Sequence, residues 1–164
     1  MEPLARLLAT DSRETLQFFF SELRDMTLAE HMDEPVVLYN ASVLAHFAST
    51  STNTPVGMPT PANLVDVFDR FVQHPVLHDD PEMMEMAAAQ CLLLTGFFAD
   101  QMRRRHNLDW YGRLGASFFR VASTTSAMQG HKDMMARMAD EFPYWRAAHL
   151  ALARELRQHP YLLR

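Results

Sequence analysis

The sequence predicts an all-α fold, and three observations carry that prediction. Apolar residues recur at spacings of three and four along almost the whole chain, and no stretch alternates for long enough to form a strand. Helix-start signals recur, with an acidic or hydroxyl residue standing before proline at Glu34-Pro35, Thr60-Pro61 and Asp80-Pro81. A hydrophobic fraction of 48% beside 21% charged residues is that of a folded chain with a sizeable core. Together they predict one domain over residues 1–164, a single irregular or orthogonal bundle of about six to eight helices.

The elements follow in order. Pro3, Leu4, Leu7 and Leu8 predict a short opening helix. Thr10, Asp11 and Ser12 offer caps for a second, whose apolar stripe is Leu16, Phe19, Phe20 and Leu23. Glu30 to Glu34 reads as an acidic turn, with Pro35 as the first residue of a third helix. That helix carries Val37, Leu38, Ala41, Leu44, Ala45 and Ala48, which predicts that most of its surface is buried. Residues 49–61, with three prolines and a glycine, predict a loop of functional or connecting use. Thr60-Pro61 then caps a fourth helix bearing Leu64, Val65, Phe68, Phe71 and Val72.

His74-Pro75 ends that helix, and Asp80-Pro81-Glu82 starts the central one, with carboxylates facing the positive helix end. The central helix is expected to reach Thr95 or beyond, with Gly96 a candidate break. Asp109 is the expected cap of the next helix, running to about Thr124. Ser123 to Gly130 reads as a polar joint. His131 to His159 is one long helix or two broken near Pro143, with Trp145, Ala148, Leu152 and Leu156 as its inner stripe.

Close packing is predicted between two of these helices. Ala88, Cys91, Leu92 and Thr95 share one face, and Gly112, Gly115, Ala116 and Phe119 share another. Glycine costs about 1 kcal/mol against alanine inside a helix, so its presence there calls for close backbone approach to a neighbour.

Composition narrows the function classes. The apolar run Ala87–Ala99 falls short of the roughly 20 residues a membrane span needs, so no span is expected. One cysteine, placed mid-helix, excludes an internal disulfide; with no apolar secretory leader it predicts a reducing cytoplasm. Twelve Met and eleven Phe predict a soft, aromatic core, with an adaptable apolar surface as the lesser alternative. Residues 1–100 hold 4 Arg against 15 acids, and residues 101–164 hold 11 Arg and Lys against 5 acids. Such asymmetry is expected to average out in space as the helices interleave; the alternative is an acidic and a basic face, and so head-to-tail or two-fold association.

Few constellations carry chemistry. His74, His78 and Asp79 form the densest local set of metal-type ligands, but their spacing matches no zinc signature, so no metal or cofactor is expected. His46, on the apolar third helix, is expected to be a core histidine. No nucleophile elbow, phosphate loop or His-Glu-x-x-His motif occurs, and Ser117 lacks the flanking glycine pattern of a hydrolase serine. The best candidate surface is Arg103, Arg104, Arg105 and His106 with Trp110 and Tyr111, since adjacent cations and aromatics anchor acidic partners or stack on bases. The acidic total and the absence of a helix-turn-helix disfavour nucleic acid.

Leu93-Leu94-Thr95-Gly96-Phe97-Phe98, then Arg104-Arg105 and Trp110-Tyr111-x-x-Leu114-Gly115-x-x-Phe118-Phe119, resembles small uncharacterised all-helical proteins of proteobacteria. The resemblance implies a bacterial, all-helical fold without catalytic residues. The expected function is a non-catalytic interaction module, homo-oligomeric, that binds a protein partner, itself or a small apolar ligand. The alternatives are a helical enzyme or cofactor binder with a Met/Phe-lined pocket using His46 or residues 74–80, and a nucleic-acid-associated regulator using Arg103 to Arg105.

Overall fold

The computed structural model describes residues 12–52, 80–103 and 107–158. The opening helix and the fourth helix expected after Thr60 lie outside the described residues. The fold is all-α, and no described residue is in a strand. The helices are α1 (Ser12–Met26), α2 (Glu34–Thr52), α3 (Pro81–Leu92), α4 (Ala99–Met102), α5 (Leu108–Thr125), α6 (Gln129–Asp140) and α7 (Phe142–Gln158). A 3-10 turn covers Leu28–Glu30, and a π turn, Leu93–Phe97, joins α3 to α4. The chain divides into two compact units: residues 1–59 with 151–164, and residues 60–150.

In the first unit α1 packs on α2. Phe19 and Leu23 of the expected stripe are buried, as are Val36, Val37, Ala41, Leu44, Phe47 and Ala48 of α2, with Leu152 and Leu156 in the same unit. Thr27 and Asn40, also buried, return their donors to the helix ladder, Thr27 Oγ1 to the Leu23 carbonyl at 2.8 Å and Asn40 Nδ2 to the Val36 carbonyl at 2.9 Å. Such pairing removes most of the cost of burying a polar group. His31 takes a left-handed conformation, φ 54°, and stops the 3-10 turn.

Two sequence expectations for α2 need correction. The helix continues through Thr52, past the loop start expected at residue 49; the rest of that loop lies outside the described residues. Each added residue contributes a backbone hydrogen bond, and Ser49 to Thr52 include no proline to interrupt it. His46 is exposed and Leu38 is 45% exposed, so α2 buries one stripe and presents the rest to solvent. Residues 37, 41, 44 and 48 recur at four and three, a spacing that turns position 46 away from them.

In the second unit the start of α3 is as expected: Asp80 Oδ1 accepts the Glu82 N–H at 3.0 Å, and Pro81 opens the helix. The ladder breaks at Gly96 by insertion. The Phe98 N–H donates to the Leu93 carbonyl five residues back at 2.8 Å, and Thr95 Oγ1 donates to the Cys91 carbonyl at 2.7 Å. All six residues from Cys91 to Gly96 are buried.

The cap of α5 is Asn107, not Asp109. Asn107 has an extended backbone, and its Oδ1 accepts the Trp110 N–H at 3.1 Å. A cap must precede the helix with its side chain reaching the third residue, and Asp109 already lies in the first turn. Asn107→Ala is expected to cost about 1 kcal/mol and Asp109→Ala about half of that or less. Urea unfolding of the two variants ranks them, and the opposite order would return the cap to Asp109.

The polar joint is shorter than its composition implies. Helix α5 runs to Thr125 because Thr124 and Thr125 hydroxyls both turn back to the Val121 carbonyl, at 2.8 and 3.0 Å, and Gly130 is already inside α6. The terminal stretch is two helices, broken at Glu141 with Pro143 in the first turn of α7. Glu141 ties the break together, accepting Arg137 Nε at 2.9 Å and Trp145 Nε1 at 3.0 Å. His131 Nε2 and Glu85 Oε1, 2.7 Å apart, link α6 to α3, and Arg120 pairs with Asp140 between α5 and α6.

The expected close helix pair is present. A Cβ at Gly115 would lie 2.6 Å from Cys91 Cβ of α3 and 2.7 Å from Phe142 Cζ of α7. Gly112 has a different reason: its nearest neighbour is the Arg146 guanidinium, 2.8 Å from where a Cβ would stand. Met84, Met102, Met135 and Met138 fill the core of this unit, with Phe119, Phe142 and Trp145.

Candidate docking surface

Helix α5 is amphipathic, and its outer face begins at Trp110. Positions 110, 113, 117, 120 and 124 are spaced by three and four and fall on one side; all five are exposed. Trp110 is 49% exposed and sits in the capped first turn. Its ring meets Tyr111 edge-on, centroids 4.8 Å apart at 82°, and Tyr111 is itself buried. The indole is thus braced by Tyr111 while 49% of the residue stays exposed.

Two exposed arginines belong to the same unit. Arg103, at the end of α4, is 57% exposed and lies 3.7 Å from Asp100. Arg113, one turn along from Trp110, is exposed and forms no ion pair with any described residue. Arg120 continues the face and is matched by Asp140. Arg104, Arg105 and His106 lie outside the described residues.

The sequence-derived set is thus divided. Arg103 and Trp110 are surface residues of the same unit, whereas Tyr111 is a supporting core residue. Arg113 was missed, although its position three after Trp110 on an amphipathic helix was available as a signal.

Arg146 of α7 underlies this region. Its Nε donates to the Thr95 carbonyl in the π turn at 3.2 Å, and its NH1 lies 3.9 Å from Asp109 Oδ1. Burial lowers its pKa, and Asp109 opposes that shift. One half-buried cation therefore bridges the π turn and the first turn of α5. The absence of side chains at Gly96 and Gly112 makes room, since a Cβ at Gly96 would meet His149 Cβ at 2.9 Å and the Arg146 carbonyl at 3.1 Å. π turns occur often at functional sites, and this one sets where α4 and Arg103 begin.

The other candidates do not converge. His74, His78 and Asp79 lie outside the described residues, and among the described residues no three His, Cys, Asp or Glu side chains gather as a metal would require. Cys91 is fully buried, and burial pushes its thiol pKa up, which disfavours the nucleophilic thiolate. Among the described residues no helix is long and apolar enough to cross a membrane. Compared with known proteins, the chain matches no family model, no curated protein and no solved structure.

Proposed function

We propose that this chain is a non-catalytic, cytoplasmic helical interaction module that docks an acidic segment of a protein on the outer face of α5. The observation that carries this reading is Trp110, half exposed on a capped helical turn and braced by Tyr111. A large aromatic held in place loses little conformational freedom on binding, and Trp and Arg dominate the energetics of protein interfaces. Arg103 and Arg113 supply the complementary charge, extended in the sequence by Arg104 and Arg105. Asp100, Asp109 and Asp140 dilute the positive charge here, which weakens the counterion-release contribution that nucleic-acid binding depends on.

The test uses fluorescence anisotropy with a labelled Glu/Leu peptide, a Lys/Leu counterpart and a single-stranded oligonucleotide. The Glu/Leu peptide alone is expected to bind, with affinity falling as salt rises. Trp110→Ala or the pair Arg103→Glu, Arg113→Glu should weaken it about tenfold or more without moving the melting temperature. Preferential binding of the oligonucleotide, or peptide binding indifferent to all three substitutions, overturns the proposal.

A further inference from the structure

The acidic segment expected by this docking surface exists in the chain itself. Between α1 and α2 the backbone turns through the 3-10 turn and the left-handed His31, and Glu30, Asp33 and Glu34 are all exposed there. Leu28 and Leu38 flank them in the sequence, 68% and 45% exposed, among the few large apolar side chains of the described residues open to solvent. The corner thus offers carboxylates between two leucines. The α5 face offers the converse, an exposed indole with the Arg113 guanidinium one turn along, and Arg103 is exposed in the same unit.

Resting on the proposed docking function, we infer that the occupant of the α5 face is the α1–α2 corner of a second copy of this chain. Charge supports the pairing, since the corner belongs to the half of the sequence with 15 acids against 4 Arg and the α5 face to the half with excess Arg. Apolar contact supports it too, because Leu28, Leu38 and Trp110 each leave water in the complex. The two surfaces differ, so the contact is head-to-tail. Such contacts close into a ring or extend with concentration.

Sedimentation velocity on the full chain tests this with two charge-reversed variants. One carries Arg103→Glu and Arg113→Glu, the other Glu30→Arg and Glu34→Arg. The parent should associate increasingly with concentration, and less at high salt. Each variant alone opposes like charges and should associate about tenfold more weakly or not at all. Mixed in equal amounts they should associate again, because each then meets its complement. Leu28→Ser, which leaves the charges intact, should weaken association independently and gives a second readout should a charge reversal unfold the chain. A parent that stays monomeric at every concentration overturns the self-docking inference. Binding of the Glu/Leu peptide in that same sample would keep the docking surface itself. Variants that associate as the parent does, or a mixture that does not recover, also overturn the inference.

Discussion

Gly115→Leu is expected to lower the stability of the folded chain by about 3 kcal/mol or more, and Gly115→Ala by about 1–3 kcal/mol. Glycine to alanine inside a helix ordinarily gains up to about 1 kcal/mol of propensity, so a loss requires a steric term larger than that gain. The structure supplies it from two directions. The new methyl would stand 2.6 Å from Cys91 Cβ, which is fixed to the α3 backbone, and 2.7 and 2.8 Å from two ring carbons of Phe142. Neither neighbour is the free end of a flexible chain, and Phe142 is only 1% exposed. Helices α3, α5 and α7 must therefore move apart together, and contacts in a close-packed core are lost on all three. Phe142→Leu should restore only part of the loss, because the Cys91 contact remains. Gly130→Ala is the control, since nothing stands within 4 Å of a Cβ there, and it should be neutral or stabilising by up to about 1 kcal/mol. Urea unfolding of the four variants provides the comparison. A Gly115→Ala midpoint equal to that of the parent would refute the close approach.

Acidification should unfold the chain partly through one side chain, His149. It is completely buried, and burial holds its pKa down at about 3 against 6.5 for a free histidine. Between those values the unfolded chain binds a proton at this position that the folded chain refuses. Stability is therefore fully present above about pH 6.5 and is lost as pH falls, with a loss of about 3 kcal/mol by pH 4. Below about pH 3 both states are protonated and this group adds nothing further. Glu22 acts in the opposite sense. Its carboxyl pKa is raised by burial and then by Glu155 and Asp25, so its contribution is present at low pH and lost as pH rises through the folded value. In His149→Leu the difference in stability between pH 7 and pH 4 should shrink by about 3 kcal/mol, read from urea unfolding at each pH. An unchanged difference would show that His149 is already protonated in the folded chain or reaches solvent.

Much of the second unit was legible because its signals are local. Asp80-Pro81 specified the start of α3, the small residues at Gly115 and Cys91 specified a close crossing, and Pro143 marked the last break. The remainder depends on choices that neighbouring residues make equally well. Asn107 and Asp109 are both good caps two positions apart, and only the backbone decides which one precedes the helix. Trp110 and Tyr111 were grouped by adjacency, yet successive residues on a helix point about 100° apart, so one of them had to turn inward. Arg113 is separated in sequence from the arginine run, although helical spacing returns it to the same side as Trp110. Gly112 was assigned to the α3 contact because it shares a face with Gly115. Its partner is instead a long side chain from α7, thirty-four residues away in the sequence, and no spacing rule could have revealed that.

The π turn has a consequence for how this chain would compare with its relatives. It holds one more residue than a continuous α-helix of the same rise, and its widened ring leaves the Thr95 carbonyl to Arg146. A homologue whose central helix is unbroken would lack one residue between Leu93 and Phe97, and its remaining sequence would realign on both sides of that gap. Without the bulge Arg146 would lose its acceptor, so the gap and a change at position 146 would be inherited together.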